Sequence, residues 1–259
     1  LSSPLLALSD VRHSIGSKRI LAGIDLSLEA GRIYGLVGPN GSGKSTLLKI
    51  LARQLTAESG RVLLEGKEFG EWPGRAFARK VAYMPQFTPA TDGMTVRELI
   101  SLGRFPWHGA LGRFTAHDRS LVDAAIARTE LGDFADRPVA NMSGGERQRA
   151  WIAMMLAQDA RCLLLDEPTS ALDLAHQSSM LSLLQSLARE RQLAIVIVLH
   201  DINLAARHCD ELFALNAGRI AHRGGPDAIM QTDVLQAIFG VQMGVFAHPA
   251  TGNPVSYLL

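Results

Sequence analysis

The chain has 259 residues, 47% of them hydrophobic and 20% charged, with a formal net charge of +1. That length suits one large core, alone or carrying a small inserted subdomain, and the near-neutral balance offers no basic field for nucleic acid, so no nucleic-acid partner is expected. Two cysteines, Cys162 and Cys209, are too few for a disulfide framework or a CxxC metal site and fit a reducing cytosol.

The opening Leu1-Ser2-Ser3-Pro4 has no basic n-region and does not read as a signal peptide. Leu5 to Val11 and Ile24 to Leu28 predict two strands joined by a polar turn around Gly16-Ser17-Lys18. The apolar run Ile33 to Val37 predicts a third strand. It leads into Gly38-Pro39-Asn40-Gly41-Ser42-Gly43-Lys44-Ser45-Thr46, and a helical pattern follows to about Leu55. Strand, glycine-rich turn and helix are the context a P-loop requires. The glycines let backbone N–H groups turn inward at a phosphate chain, and the helix start adds its positive dipole end. In such a loop Lys44 reaches the β- and γ-phosphates and the Ser45 hydroxyl holds Mg²⁺, so nucleoside triphosphate binding is expected.

Arg61 to Glu65 predicts another strand, Gly66 to Gly74 is turn-rich, and Val81 to Met84 predicts a short strand ending at Pro85-Gln86. The pattern then turns helical. Thr95 with Glu98 is a capping-box pair, and Thr115 opens a helix with Leu121, Val122, Ala125, Ile126 and Thr129 along one face. No convincing strand lies between about 87 and 158. The longest apolar run, Ala150 to Ala157, is eight residues, against about 20 for a membrane-spanning helix, so the chain is not expected to cross a membrane. Within this stretch Ser143-Gly144-Gly145-Glu146 combines an N-cap serine with two glycines ahead of a helix from Arg147 to Gln158. It reads either as an ordinary glycine-rich helix start or as a second phosphate cradle.

Strands resume at Cys162 to Leu165, Ala194 to Leu199, Glu211 to Leu215 and Arg219 to His222, with helices between, such as Leu174 to Arg189. Near-continuous apolar strands alternating with helices predict a parallel sheet covered on both faces. Asp166 and Glu167 end the first of these strands, where ligands bind in open α/β sheets. There Asp166 can share a Mg²⁺ with Ser45, and Glu167 can orient and deprotonate an attacking water. The expected organisation is a core of residues 1–86 and 159–240, an all-helical subdomain at 87–158, and a short tail at 241–259.

The P-loop, Gln86, Ser143-Gly144-Gly145-Glu146, Asp166-Glu167, Ser170-Ala171-Leu172-Asp173 and His200 fall in the order of an ATP-binding-cassette (ABC) ATPase. The chain resembles that family over essentially its whole length. The resemblance implies an α/β P-loop NTPase with a mostly parallel core sheet, an N-terminal antiparallel β element and an inserted helical subdomain. It implies ATP and Mg²⁺ as ligands, and a head-to-tail dimer with a second copy in which the Ser143 element of one chain faces the P-loop of the other. Gln86 would sense Mg²⁺ and the lytic water, Asp173 would sit at the dimer seam, and His200 would contact the γ-phosphate. The family places an aromatic ring ahead of the P-loop to stack on adenine, and counting along the first strand puts that place at His13.

Residues 103 to 114, with Phe105, Trp107 and Phe114, together with 143–151 and Leu199-His200-Asp201-Ile202-Asn203, resemble the iron-chelate importer branch of ferric hydroxamate type. That implies an energy-coupling ATPase, peripheral on the cytoplasmic face of the inner membrane. It would serve permease subunits contacted near Gln86 and residues 103–114, and indirectly a periplasmic or surface binding protein. By packing alone, 103–114 reads as a packed turn. Haem and vitamin B12 importers use similar subunits, and no ligand set for iron itself stands out. Two other classes of protein share a P-loop: soluble cassette proteins acting on DNA, ribosomes or iron–sulfur assembly, and GTPases. Among soluble cassette proteins, those acting on DNA carry long heptad arms and those acting on ribosomes a second cassette, while a GTPase carries an Asn-Lys-x-Asp guanine reader.

Overall fold

A computed structural model describes residues 4–89, 91, 93–109, 112–170 and 172–259. Strands β1 (Leu6–Ile15) and β2 (Lys18–Leu28) form an antiparallel hairpin closed at Gly16-Ser17, with Ile15 opposite Lys18. Both run further toward the turn than their apolar residues predict, because pairing extends through the polar Arg12 to Ser14. The strand β3 (Ile33–Val37) follows, buried throughout, and then helix α1 (Lys44–Leu51). That helix stops short of Leu55 because Arg53 takes a left-handed conformation at φ 55°.

The strands β4 (Ser59–Leu64) and β5 (Lys67–Glu68) complete an antiparallel sheet in the order β2-β1-β4-β5. Helix α2 (Gly74–Ala78) leads to β6 (Val81–Met84). Between β6 and the next strand the described residues hold α3 (Val96–Leu102), α4 (Phe105–His108), α5 (Ala116–Arg128) and α6 (Gly144–Ala157). The only strand-like pairing described there is an isolated bridge between Thr95 and Pro138. Complete capping boxes start α3, α5 and α6, pairing Thr95 with Glu98, Thr115 with Asp118 and Ser143 with Glu146.

The chain then alternates through β7 (Cys162–Leu165), α7 (Leu174–Glu190), β8 (Ala194–Val198) and α8 (Ile202–His208) to β9 (Glu211–Asn216). Strand β10 (Arg219–Gly224) turns back antiparallel beside β9, and its alternating exposure marks a sheet edge. The main sheet runs β10-β9-β3-β8-β7-β6, parallel apart from β10. Its side chains alternate between two cores. Ile33, Leu163, Leu165, Ile195 and Ile197 pack among residues of α6 and α7. Tyr34, Leu36, Leu164, Val196 and Val198 pack against α1 and the antiparallel sheet.

Helices α9 (Pro226–Ile229) and α10 (Thr232–Phe239) precede a hairpin of β11 (Met243–Ala247) and β12 (Pro254–Leu258). The Gly- and Pro-rich tail thus carries structure its composition does not announce. Asn203 on α8 fastens it: its side-chain oxygen accepts from the Ser256 amide at 2.8 Å, and its amide donates to the Ser256 carbonyl at 3.1 Å. No described helix is long and apolar enough to cross a membrane.

Candidate nucleotide site

The adjacent order β3-β8-β7-β6 has one consequence for chemistry. The carboxyl ends of these parallel strands carry the P-loop, His200, Asp166-Glu167 and Gln86, so segments far apart in sequence emerge side by side. The P-loop begins with a backbone contact that a side chain would forbid. A Cβ on Gly38, at φ 130°, would lie 2.1 Å from the Leu215 carbonyl oxygen. At Gly43, φ 106°, it would press on Leu21 at 2.8 Å. Gly43 is also the residue from which α1 springs.

Inside this loop the Lys44 ammonium donates to the carbonyls of Gly38 and Pro39 at 2.9 and 3.0 Å. Burial pushes its pKa down, while Glu167 and Asp166 act against that shift. Ser45 donates its hydroxyl to Asp166 Oδ1 at 2.9 Å. Burial raises the pKa of the Asp166 carboxyl, opposed by the Ser45 hydrogen bond and reinforced by the neighbouring Glu167. The Ser42 hydroxyl is buried without a partner. An orphaned hydroxyl beside a Gly-lined backbone turn fits a phosphate oxygen. The all-oxygen pair Ser45 and Asp166 fits a hard cation such as Mg²⁺.

Glu167 sits in a left-handed conformation at φ 52°, the kind of backbone cost found where surrounding contacts over-determine a residue. Those contacts are present. One carboxylate oxygen accepts from the Gln86 amide at 2.6 Å, and the other lies 2.6 Å from His200 Nε2. The side chain of Glu167 is 12% exposed and that of His200 is 48% exposed, so the carboxylate is sheltered while the imidazole faces outward. Tyr83, on β6, was not singled out from sequence. Its hydroxyl is buried without a hydrogen-bond partner, and burial together with Asp166 pushes it up to about 12, which keeps it protonated.

Ser143 caps α6 as the Ser-Gly-Gly pattern predicts, and the helix starts at Gly144 rather than Arg147. The Ser143 hydroxyl donates to Glu146 at 2.8 Å, and the Ser143 amide donates to the same carboxylate at 2.8 Å. These bonds, led by the one from the amide, hold the Glu146 carboxyl below its ordinary value. The P-loop cavity is lined by Lys18, Ile20, Asn40, Gly41, Gly43 to Thr46 and Glu167. Gly144 lines a different cavity, with Gln86 and Ser170. Within one chain the two glycine-rich elements therefore do not share a pocket.

Asp173 caps α7, accepting from the His176 amide at 2.9 Å and pairing with its ring nitrogen at 2.8 Å. Ala171 of the same stretch lies outside the described residues. Of residues 103–114, Ala110 and Leu111 also lie outside them. The remainder is both packed and presented. The Trp107 indole donates to the Gln158 carbonyl at 2.8 Å, with the Arg79 and Arg104 guanidiniums each 4.9 Å from its ring centre. Arg104 is itself buried and paired with Asp118 at 2.8 Å. Yet Phe105, Trp107 and Phe114 remain 51%, 38% and 41% exposed, and Phe87 beside Gln86 is 84% exposed.

One expected residue does not reach the cradle. His13 pairs in register with buried Leu21, and its Nδ1 donates to the Thr56 carbonyl at 3.0 Å. The register of the hairpin shifts between His13 and Ser14. The extra residue of that shift is Ile20 on β2, which lines the cavity together with Lys18, the partner of Ile15. Counting in twos along β1 could not reveal this.

Cradle, acidic strand end, sheltered carboxylate and capped Ser-Gly-Gly helix define a P-loop nucleoside triphosphatase of the cassette type. A family profile described as ABC transporter matches residues 21–170. The chain is 40% identical to the iron(3+)-hydroxamate import ATP-binding protein FhuC of Bacillus subtilis, over 93% of this chain and 89% of that one. It is 42% identical to the hemin import ATP-binding protein HmuV of Pseudomonas entomophila, over 93% and 94%. Its fold matches a chain solved in an inward-facing conformation and assigned to the metal-chelate type of ABC transporter. There the TM-score is 0.86 and the identity 25%, over 99% of this chain and 97% of the other. The chain belongs to the ABC transporter family, and it is an ATPase.

Proposed function

We propose that this chain is the ATP-hydrolysing, energy-coupling subunit of an importer for an iron(III) chelate of the hydroxamate-siderophore type. It would work as a head-to-tail pair of identical copies, peripheral on the cytoplasmic face of the membrane. The observation that carries the reading is the row of groups at the carboxyl ends of β3, β8, β7 and β6, built in a chain similar over nine-tenths of its length to a hydroxamate import ATPase subunit.

In this reading the P-loop amides, Lys44 and Ser42 hold the triphosphate, and Ser45, Asp166 and Gln86 hold Mg²⁺. When bound, the Mg²⁺ ion supplies neutralisation of the β- and γ-phosphate charge. Glu167 orients a water and takes its proton as the water oxygen bonds to the γ-phosphorus and the bridging P–O bond breaks. His200, already beside Glu167, supplies a donor toward the γ-phosphate. Ser143 and the exposed amides of Gly144 and Gly145 offer an anion seat that no P-loop of the same chain occupies, and a second copy can complete it. Asp173 lies at that seam. The exposed aromatics Phe87, Phe105, Trp107 and Phe114 form the surface offered to a permease, since apolar side chains gathered on a polar rim mark contact sites.

A hemin cargo is the second reading, favoured by the 42% identity to hemin import subunits. Reconstituting the chain with its membrane subunits in vesicles separates the two. ATP-driven entry of ferric hydroxamate supports the first, entry of hemin alone supports the second, and ATP turnover with neither cargo entering refutes both.

A further inference from the structure

We infer that Asn203 is a positioning residue for His200, and that the C-terminal hairpin of β11 and β12 is the brace against which it works. The inference rests on the role given to His200 above and adds what sets its reach. His200 lies in the short link between β8 and α8. On the strand side the Leu199 amide donates to the Leu36 carbonyl at 3.1 Å, so the chain is fixed up to the residue before His200. On the helix side the Asp201 carboxylate accepts from the amides of Asn203 and Leu204 at 2.7 and 3.1 Å, which ties the link to the first turn of α8. The imidazole itself is half-exposed. His200 therefore goes where that turn goes.

Helix α8 has seven residues, and a helix that short is not stable by itself in water, so its place is set by what it packs on. Buried Ile202 and Ala205 hold its inner face, but apolar contact is non-directional. Asn203 supplies direction. Its Oδ1 accepts from the Ser256 amide at 2.8 Å and from the Ser256 hydroxyl at 3.0 Å, and its Nδ2 donates to the Ser256 carbonyl at 3.1 Å. One carboxamide thus takes both backbone groups of a strand residue, as a neighbouring strand would. Ser256 is buried and faces Val245 across the hairpin. The hairpin also has an anchor of its own, since Met243 is buried in the core that Val245 packs against. The bonds that fasten the tail to α8 therefore also hold the first turn of α8 to a fixed body.

The test measures single-turnover phosphate release and equilibrium ATP binding for the full chain and for Asn203→Ala, Ser256→Pro, His200→Ala and the double variant Asn203→Ala with His200→Ala. Ser256→Pro removes the donor amide from the tail side, 53 residues from Asn203, and proline is tolerated where a strand amide points away from its ladder. Asn203→Ala and Ser256→Pro should each slow turnover by about 10- to 100-fold, the cost of misplacing a reacting group by about 1 Å. ATP affinity should stay within about twofold, since the P-loop stands between β3 and α1. Without His200 there is nothing left to position, so Asn203→Ala should add less than about twofold to the loss in His200→Ala. Losses that multiply in the double variant, a clamp variant that turns over at the parent rate, or ATP affinity that falls as far as turnover would each overturn the inference. Asn203 would then only fasten the tail, and the role of His200 would stand. If His200→Ala itself turns over at the parent rate, the role of His200 falls and the inference with it.

Discussion

Replacing Glu167 with glutamine keeps the volume of the side chain and removes its charge. The carboxylate now uses one oxygen for the Gln86 amide and the other for His200 Nε2, both at 2.6 Å. A glutamine brings one acceptor oxygen, so it retains one of these contacts, and its amide nitrogen accepts no proton from water. The loss of a positioned base should slow turnover by about 10²- to 10⁴-fold, equivalent to a barrier raised by about 2.7 to 5.5 kcal/mol. Binding should move the other way. Glu167 raises the pKa of the Asp166 carboxyl, so neutralising it favours the ionised Asp166 that a Mg²⁺-bound triphosphate needs. Lys44 and Ser45 keep their own contacts. The expected variant therefore holds ATP at least as tightly as the parent and barely hydrolyses it. Phosphate release under single turnover, measured beside equilibrium ATP binding, separates the two effects. Unchanged turnover would remove Glu167 from the role of base, and weakened binding would refute the account of Asp166.

Three further substitutions probe other parts of the molecule. Ser143→Arg should block ATP-driven dimerisation, seen by light scattering, while leaving ATP binding to the single chain intact; normal hydrolysis by this variant would refute the two-copy site. Trp107→Ala removes a ring held by the Gln158 carbonyl and two guanidiniums, and should cost about 2 kcal/mol in denaturant unfolding. It should leave basal ATPase and lower permease-stimulated ATPase, whereas failure to fold would make Trp107 a packing residue. Asp118→Asn breaks the buried pair with Arg104 and should cost about 3 kcal/mol at neutral pH. Burial raises the pKa of the Asp118 carboxyl, but Thr115 and Arg104 outweigh that and hold it well below its ordinary value. A lowered folded pKa gives stability that is complete above the unfolded value, near about 4, and is lost as pH falls toward the folded one. The gap between parent and variant should narrow as pH drops below about 4; a constant gap would refute the pairing.

The site was legible wherever its chemistry is contiguous in the chain. A strand running into Gly38 to Thr46, a strand ending in Asp166-Glu167, and a capping serine three residues before Glu146 each carry their meaning within a few residues. The contacts that assemble them do not. Gln86, Glu167 and His200 converge only because β6, β7 and β8 are neighbours in the sheet, and sheet order is a property of packing that hydropathy along one strand does not state. The Arg104–Asp118 pair was hidden for a similar reason. Asp118 completes the helix cap with Thr115, and nothing local says that a buried guanidinium meets it too. The place of His13 was hidden because its imidazole is held by the Thr56 carbonyl, 43 residues away, a contact that counting along β1 does not state. The tail hairpin was missed because Gly244, Pro249, Gly252 and Pro254 break up its pattern, while the contacts that hold it come from Asn203 on another element.

Each group assigned to hydrolysis already has a partner within the chain. Lys44 is bonded to its own loop, Ser45 to Asp166, Glu167 to Gln86 and His200, and Ser143 to Glu146. A nucleotide entering this site must therefore exchange the bonds of these side chains, so the net gain for each of them is the modest one of an exchange. Ser42 is the exception, with a buried hydroxyl that has no partner to give up. The strain at Glu167 points the same way. The backbone takes an uncommon conformation at the residue whose carboxylate meets both Gln86 and His200. On the roles proposed above, releasing the carboxylate toward a water would require Gln86 to turn to Mg²⁺ and His200 to the γ-phosphate. On those proposed roles, the freeing of the base would be coupled to occupation of the site.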